Sequence, residues 1–271
     1  MFSYSVKTHS KMNRLIRNAL QRTRFFAQRA GYTINRTEAF AFPDQKELLK
    51  RRDVRTIFDV GANNGSTVEQ YRRIFPDATV YCFEPIPALA ERIRGRFAQD
   101  ERVRVFPVAL AETQGHRQFN VNENIDTSSL LGSARGIPSA YQSIQKAVQV
   151  IEVESATIDS ACTSAAVSQI DILKMDIQGG ELLALHGASG MLARASIQLI
   201  YTEVWFLPFY EQQALFGDLC RFLAGFDYTL HAIYNAGFSG STGRMTWADA
   251  IFVSPELKSH SFDTLKSKHG A

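Results

Sequence analysis

The chain predicts an α/β fold built on a doubly wound parallel sheet. Three observations carry this: short apolar runs of buried-strand type, helical patterns alternating with them from Thr56 onward, and a glycine-rich turn directly after the first run. Thr56–Val60 is the first strand, closed by Gly61-Ala62-Asn63-Asn64-Gly65 and followed by a helix from Ser66 to Phe75. Thr79–Glu84 is the second strand, stopped by Pro85, and Pro87 opens a helix running to about Gln99, with proline in the first turn. Val103–Leu110 reads as a third strand. Gln114–Gln145 is polar, with little periodicity beyond Arg117–Val121. Ile170–Met175 is a fourth strand, Glu181–His186 a helix, Ile197–Val204 a fifth strand and Phe209–Leu223 a helix. Tyr228–Tyr234 and Ala250–Val253 complete the strands, which places one domain over residues 38–255 and a frayed polar tail over 256–271.

The 271 residues are 45% hydrophobic and 21% charged, a composition that suits a globular core and excludes a disordered chain. No stretch approaches the roughly 18 apolar residues a membrane-spanning helix needs. The net charge of +3 is unevenly spread: Met1–Arg55 carries 13 Lys/Arg against 4 Asp/Glu, and the remainder is acidic on balance. An acidic body argues against a nucleic-acid partner. Residues 1–37 hold no acidic residue, and Leu15, Ile16, Ala19, Leu20, Phe26 and Ala30 recur at helical spacing among arginines. This basic amphipathic helix fits packing on the core, peripheral contact with an anionic membrane, or an Arg-rich targeting role. Cys82, Cys162 and Cys220 are too few and too scattered for a disulfide framework or zinc site, which points to the cytoplasm. His186 and His231 sit in apolar segments and read as core or boundary residues.

In open parallel sheets, ligands bind beyond the carboxyl ends of the strands. Glycine in the turn after the first strand lets a ligand approach the backbone. Glu84 follows Gly61 by 23 positions, close to the roughly 20-residue offset at which an acid meets the ribose hydroxyls of an adenosine cofactor. A dinucleotide loop wants glycine at its first, third and sixth positions. Here they are Gly61, Asn63 and Ser66, so NAD is disfavoured, and no P-loop occurs. S-adenosylmethionine, which has no phosphate, remains; loop N–H groups would hold its carboxylate, with Asp59 facing its ammonium or ordering the loop.

The chain resembles the FkbM family of S-adenosylmethionine-dependent methyltransferases. The resemblance rests on an ordered set of segments: Phe58–Gly65, Phe83-Glu84-Pro85, Val108-Ala109-Leu110, Thr127–Leu130, Thr157-Ile158-Asp159, Lys174–Gly179 with Glu181, Tyr201–Val204 and Asp249–Val253. It implies a class I methyltransferase fold, Rossmann-like, with seven strands and the last antiparallel. It also implies O-methylation of a sugar, glycan or secondary-metabolite hydroxyl. Cofactor contacts are expected at Asp59, Gly61, Ala62, Asn63, Gly65, Glu84, Pro85 and Ala109. One position departs from the family's K-x-D-x-E-G-x-E pattern: Gln178 stands where glutamate is usual, and glutamine is neither a base nor a good ligand for a hard cation.

Asp176, at the end of the fourth strand, is the candidate base, with Lys174 on the same face by strand alternation and Glu203 at the end of the fifth strand. Asp176 could instead hold a divalent cation that acidifies the acceptor hydroxyl, and Lys174 with Asp176 could be a structural pair. Ser128 and Ser129, in the long aperiodic connection, are candidates for binding the acceptor or cofactor. Trp205, Phe206, Phe209 and Tyr210 are expected to pack in the interior more readily than to form a stacking platform. Two competing readings are a nucleic-acid methyltransferase and a non-catalytic protein docking a membrane or partner through its N-terminal helix. The strand end Asp176-Ile177-Gln178-Gly179 lacks the aromatic-proline motif that stacks a flipped base, and the intact turn with Glu84 weighs against the second.

Overall fold

The computed structural model of the chain describes residues 41–137, 142–240 and 242–258. The basic segment 1–37 lies outside them, as does the tail beyond residue 258. Helix α1 (Ala41–Leu48) precedes β1 (Thr56–Val60), α2 (Ser66–Ile74), β2 (Thr79–Phe83), α3 (Pro87–Arg96) and β3 (Val103–Phe106). Then come β4 (Ala109–Leu110), β5 (Gly115–Asn122), a 3-10 turn (Ile125–Thr127), β6 (Ala147–Ala156), α4 (Ile158–Ser164) and β7 (Ile170–Met175). The chain continues through α5 (Glu181–His186), α6 (Ser189–Ala193), β8 (Ile197–Trp205), α7 (Phe216–Ala224), β9 (Thr229–Phe238) and β10 (Met245–Val253).

Seven strands form one sheet in the order β3-β2-β1-β7-β8-β10-β9. The pairs β1–β2, β2–β3, β1–β7 and β7–β8 are parallel, while β10 runs antiparallel to both β8 and β9. This is the expected class I methyltransferase arrangement, with the last strand reversed. Strands covered on both faces need apolar residues at successive positions, and β1, β7 and β8 supply them. Phe58, Leu173, Ile200 and Phe252 lie in register on one face; Ile57, Ile172, Leu199 and Val253 do so on the other.

Several expected boundaries are corrected. The third strand does not run through to Leu110. It breaks at Pro107, which has no N–H to donate to a ladder, and Ala109–Leu110 joins a second sheet of order β4-β6-β5. That sheet was only half visible as the Arg117–Val121 run. It packs Phe119, Val153 and its own Ala109 against Ile86 and Leu89. The helix expected from Phe209 begins only at Phe216. Gln213 turns its side-chain oxygen back to accept from the Phe209 and Tyr210 N–H groups, and Gln212 takes φ 58°, so the preceding backbone is a turn. The final strands are longer than their apolar cores indicate. Cys82, Cys162 and Cys220 are free thiols. His186 and His231 are exposed rather than buried, the first edge-on against Phe222 at 4.5 Å.

Candidate active site

The turn after β1 is set by its approach to the neighbouring strand. Gly61 and Ala62 donate their N–H groups to the Phe83 carbonyl at 2.9 and 3.2 Å. Gly61 takes φ 76°, and a Cβ there would stand 2.0 Å from the Asp176 carbonyl oxygen. Glycine is therefore imposed by the backbone of the β7 end, not by a ligand as the sequence reading assumed. Gly65, at φ 80°, precedes α2, and a Cβ on it would meet the Phe97 ring. Asn63 is also left-handed, at φ 48°; its N–H donates to Glu84 Oε2 at 2.9 Å and its side-chain amide to Asp126 Oδ1 at 2.8 Å.

These contacts frame a hollow of about 330 Å³ at the carboxyl ends of β1, β2 and β7, within the size range of small-molecule sites. Of the expected residues, Gly61, Ala62, Asn63, Glu84, Pro85, Ser128, Lys174 and Asp176 line it. Glu84 is 4% exposed, and its other oxygen accepts from the Ile86 N–H at 2.9 Å. Burial pushes its carboxyl above the usual carboxylate range, against the pull of the Ile86 and Asn63 N–H groups. A carboxylate offers about four lone-pair sites, so two backbone donors leave it able to accept from ribose hydroxyls. Ile86, Leu89, Phe119 and Ile125 supply an apolar wall that sequence reasoning missed. Phe119 belongs to the second sheet, and Ile86 directly follows the Glu84-Pro85 stop.

Asp59, Gly65, Ala109, Ser129 and Glu203 do not line the hollow. Asp59 is fully buried and pairs with Lys174, whose ammonium lies 2.9 Å from Asp59 Oδ1 and donates to the Gly61 carbonyl, also at 2.9 Å. Burial works to lower the Lys174 pKa, but Asp59 and Asp176 outweigh it, and the ammonium stays charged. Lys174 thus ties β7 to the β1 turn, and Asp59 orders the loop. Ala109 faces a narrow crevice beside Phe119 and Leu130. Ser129 donates its hydroxyl to the Gln178 carbonyl, and the Ser128 hydroxyl accepts from the Asn122 N–H. Both serines are engaged in holding the loop.

Asp176 projects past the end of β7 into the hollow, beside Gln178. The Gln178 amide donates to Asp176 Oδ1 at 3.0 Å and to Glu203 Oε2 at 3.1 Å, which places Glu203 behind Gln178. Burial, with Asp176, Glu181 and Asp249 nearby, pushes Glu203 well above the usual carboxylate range. Glu181 is buried under the same turn, accepting from the Ile177 and Gly179 N–H groups, and burial raises it to about 7. Among the described residues, no three His, Cys, Asp or Glu side chains gather to hold a metal ion.

The methyltransferase FkbM domain model matches residues 59–230, from the Asp59 turn to β9. The chain belongs to the FkbM methyltransferase family. It is 30% identical over 186 residues to the 2-O-methyltransferase NoeI of Sinorhizobium fredii, covering 66% of this chain and 75% of that one. Solved structures it resembles include an rRNA methylase from Streptococcus thermophilus (11% identity, 82% and 98% of the two chains, TM-score 0.45). Another is the 1,6-didemethyltoxoflavin-N1-methyltransferase of Burkholderia thailandensis (12%, 90% and 89%, TM-score 0.41). The protein is thus an S-adenosylmethionine-dependent methyltransferase.

Two roomier hollows in this FkbM methyltransferase lie away from the chemistry. One, of about 540 Å³, is lined by Glu47, Arg51 and Asp171 near the amino end of β7, the end of the strand away from Asp176. The other, of about 550 Å³, lies between Phe106, Ser160 and the second sheet. Trp205, Phe209 and Tyr210 form a buried cluster, with Trp205 rings 5.1 and 5.7 Å from the other two, so they pack as interior residues.

Proposed function

We propose that this methyltransferase transfers a methyl group to a hydroxyl of a sugar, glycan or related small metabolite. The observation that carries the reading is the placement of Glu84 and Asp176 on the walls of one hollow, one fixed by two backbone donors and the other at a strand end with only its Oδ1 taken, by the Gln178 amide. Glu84 would hold the ribose of the cofactor and Ile86, Leu89 and Phe119 its base. The Gly61, Ala62 and Asn63 N–H groups already donate to the Phe83 carbonyl and Glu84, so they are not free to hold the cofactor's carboxylate as the sequence suggests. S-adenosylmethionine, when bound, supplies a methyl group on a sulfonium that needs no further activation. The protein's part is alignment of the acceptor oxygen and removal of its proton, which Asp176 Oδ2 accepts. The 2-O-methyltransferase activity of the relative favours oxygen over nitrogen as the acceptor atom.

The free cysteines fit a cytoplasmic enzyme, and no helix among the described residues is long and apolar enough to cross a membrane. Residues 1–37 would provide peripheral contact with an anionic membrane surface, where a glycolipid acceptor resides. The test is a labelled methyl-transfer screen against sugar nucleotides, glycolipids and RNA, with and without EDTA. Transfer to a carbohydrate hydroxyl is expected, lost in Asp176→Asn while cofactor binding persists. Transfer to RNA alone, or full turnover by Asp176→Asn, would overturn the reading.

A further inference from the structure

Gln178 sits in left-handed backbone, at φ 55°, three residues past the end of β7. Its side chain is engaged on three sides. The two amide hydrogens of Nε2 go to two different carboxylates, Asp176 and Glu203, and Oε1 lies 2.8 Å from the Tyr210 hydroxyl, which donates to it or to the Thr127 carbonyl. The reverse amide orientation would press Oε1 against both carboxylates, so the network itself decides the flip. The backbone is pinned as well. Ser129 donates to the Gln178 carbonyl, and Glu181 accepts from the N–H groups on either side.

Two carboxylates within about 3 Å of a common atom repel each other unless positive charge, a proton or hydrogen-bond donors lie between them. Here the seat is taken by neutral N–H donors. We propose that Gln178 is a positioning residue whose amide bridges Asp176 and Glu203, holding the pair together in the seat a divalent cation would otherwise occupy. The inference rests on reading Asp176 as the group that meets the acceptor hydroxyl, and it concerns how that carboxylate is held. The charged groups facing Glu203 are Lys174 on β7, Asp176 just past its end, Glu181 on α5 and Asp249 on β10. A glutamate at 178 would leave Asp176 and Glu203 without donors and complete a trio of oxygen ligands suited to a hard cation.

The test compares wild type with Gln178→Glu and Gln178→Ala. Calorimetry with S-adenosylhomocysteine comes first, so that failure of the cofactor reading is seen apart from failure of the bridge. Each protein is then titrated with Mn²⁺. Gln178→Glu is expected to bind one equivalent at least about tenfold more tightly than wild type, as a third carboxylate should. Independently, the carboxyl carbons of ¹³C-glutamate-labelled protein report the titration of Glu203. Losing the amide donors in Gln178→Ala is expected to move that titration upward by about half a unit or more, because a hydrogen bond to a carboxylate favours its charged form. Equal Mn²⁺ affinity in wild type and Gln178→Glu, or a Glu203 titration unchanged in Gln178→Ala, would overturn the proposal. The second measurement stands even where Gln178→Glu fails to fold.

Discussion

Lys174→Met separates the structural from the catalytic role of this lysine. In the native fold the ammonium is 2.9 Å from Asp59 Oδ1 and 2.9 Å from the Gly61 carbonyl, and Asp59 has no solvent exposure. Methionine matches the volume but leaves the carboxylate without its countercharge. Breaking a buried pair from one side costs about 3–5 kcal/mol, a large part of the roughly 5–15 kcal/mol that stabilises a typical domain. With a urea m-value of about 2.5 kcal/mol per M, a 4 kcal/mol loss lowers the unfolding midpoint by about 1.6 M. The loss has a pH signature. Burial already raises Asp59, and removal of the opposing Lys174 charge raises it further. A carboxyl whose folded pKa exceeds its unfolded value loses stability as pH rises through that window, so the variant should be weaker at pH 8 than at pH 5. In Asp59→Asn/Lys174→Met neither charge remains, and part of the loss should return. A midpoint within about 0.3 M of wild type, well below the cost of an orphaned charge, or a double mutant no more stable than Lys174→Met, would refute the tie between β7 and the loop.

Glu84→Ala should weaken S-adenosylhomocysteine binding by more than about tenfold in calorimetry, since two ribose hydroxyls lose a charged acceptor; Glu84→Gln should lie between it and wild type. Gly61→Ala should destabilise the fold more than cofactor loss alone explains, because its Cβ would meet the Asp176 carbonyl at 2.0 Å, and the apo protein's urea midpoint reports it. Glu181, raised to about 7 from an ordinary value of 4.5, disfavours the folded state increasingly as pH rises between those values. Glu181→Gln should therefore gain on wild type across that interval, by at most about 3 kcal/mol, in melts taken from pH 4.5 to 8. A constant difference across the range would show that Glu181 does not titrate there.

What could be read from the chain follows from how local the physics is. The β1 run, the Gly61–Gly65 turn and Glu84 lie within 29 residues, and each is governed by its own neighbours: continuous burial, left-handed φ, and a proline stop at Pro85. The second sheet was harder because β6 leaves Val148 and Val150 61% and 52% exposed, so its apolar residues mark no single buried face. Phe209 and Tyr210 have the composition of a helix start, but Gln213 accepts from both of their N–H groups and holds a turn instead. Among the site residues, sequence spacing placed Asp59 and Glu203 near the carboxyl ends of their strands and Ser129 in the long connection, without saying where their side chains turn. Gln178 was visible as a departure from a pattern. Its meaning was not, because its partners Asp176, Glu203 and Tyr210 come from separate segments that only the fold brings together.

The order of charges along one sheet face sets where the site stands. Ile57, Ile172, Leu199 and Val253 form an apolar ladder across four strands on that face. Two positions nearer the carboxyl ends of β1, β7 and β8, the same rows carry Asp59, Lys174 and Tyr201, each paired with a neighbour. Asp59 pairs with Lys174, while Tyr201 donates at 2.8 Å to Asp249, which also accepts from Asn235. One further step brings Gly61, Asp176 and Glu203, where the sheet opens toward the hollow. The Asp176 carboxylate thus stands on a layer of paired charges whose positions are fixed by strand register rather than by loops. Substitutions in that layer should register first as lost stability. Those at Asp176 should register first as lost turnover, because its carboxylate is bridged by Gln178 while its backbone N–H donates to the Val60 carbonyl.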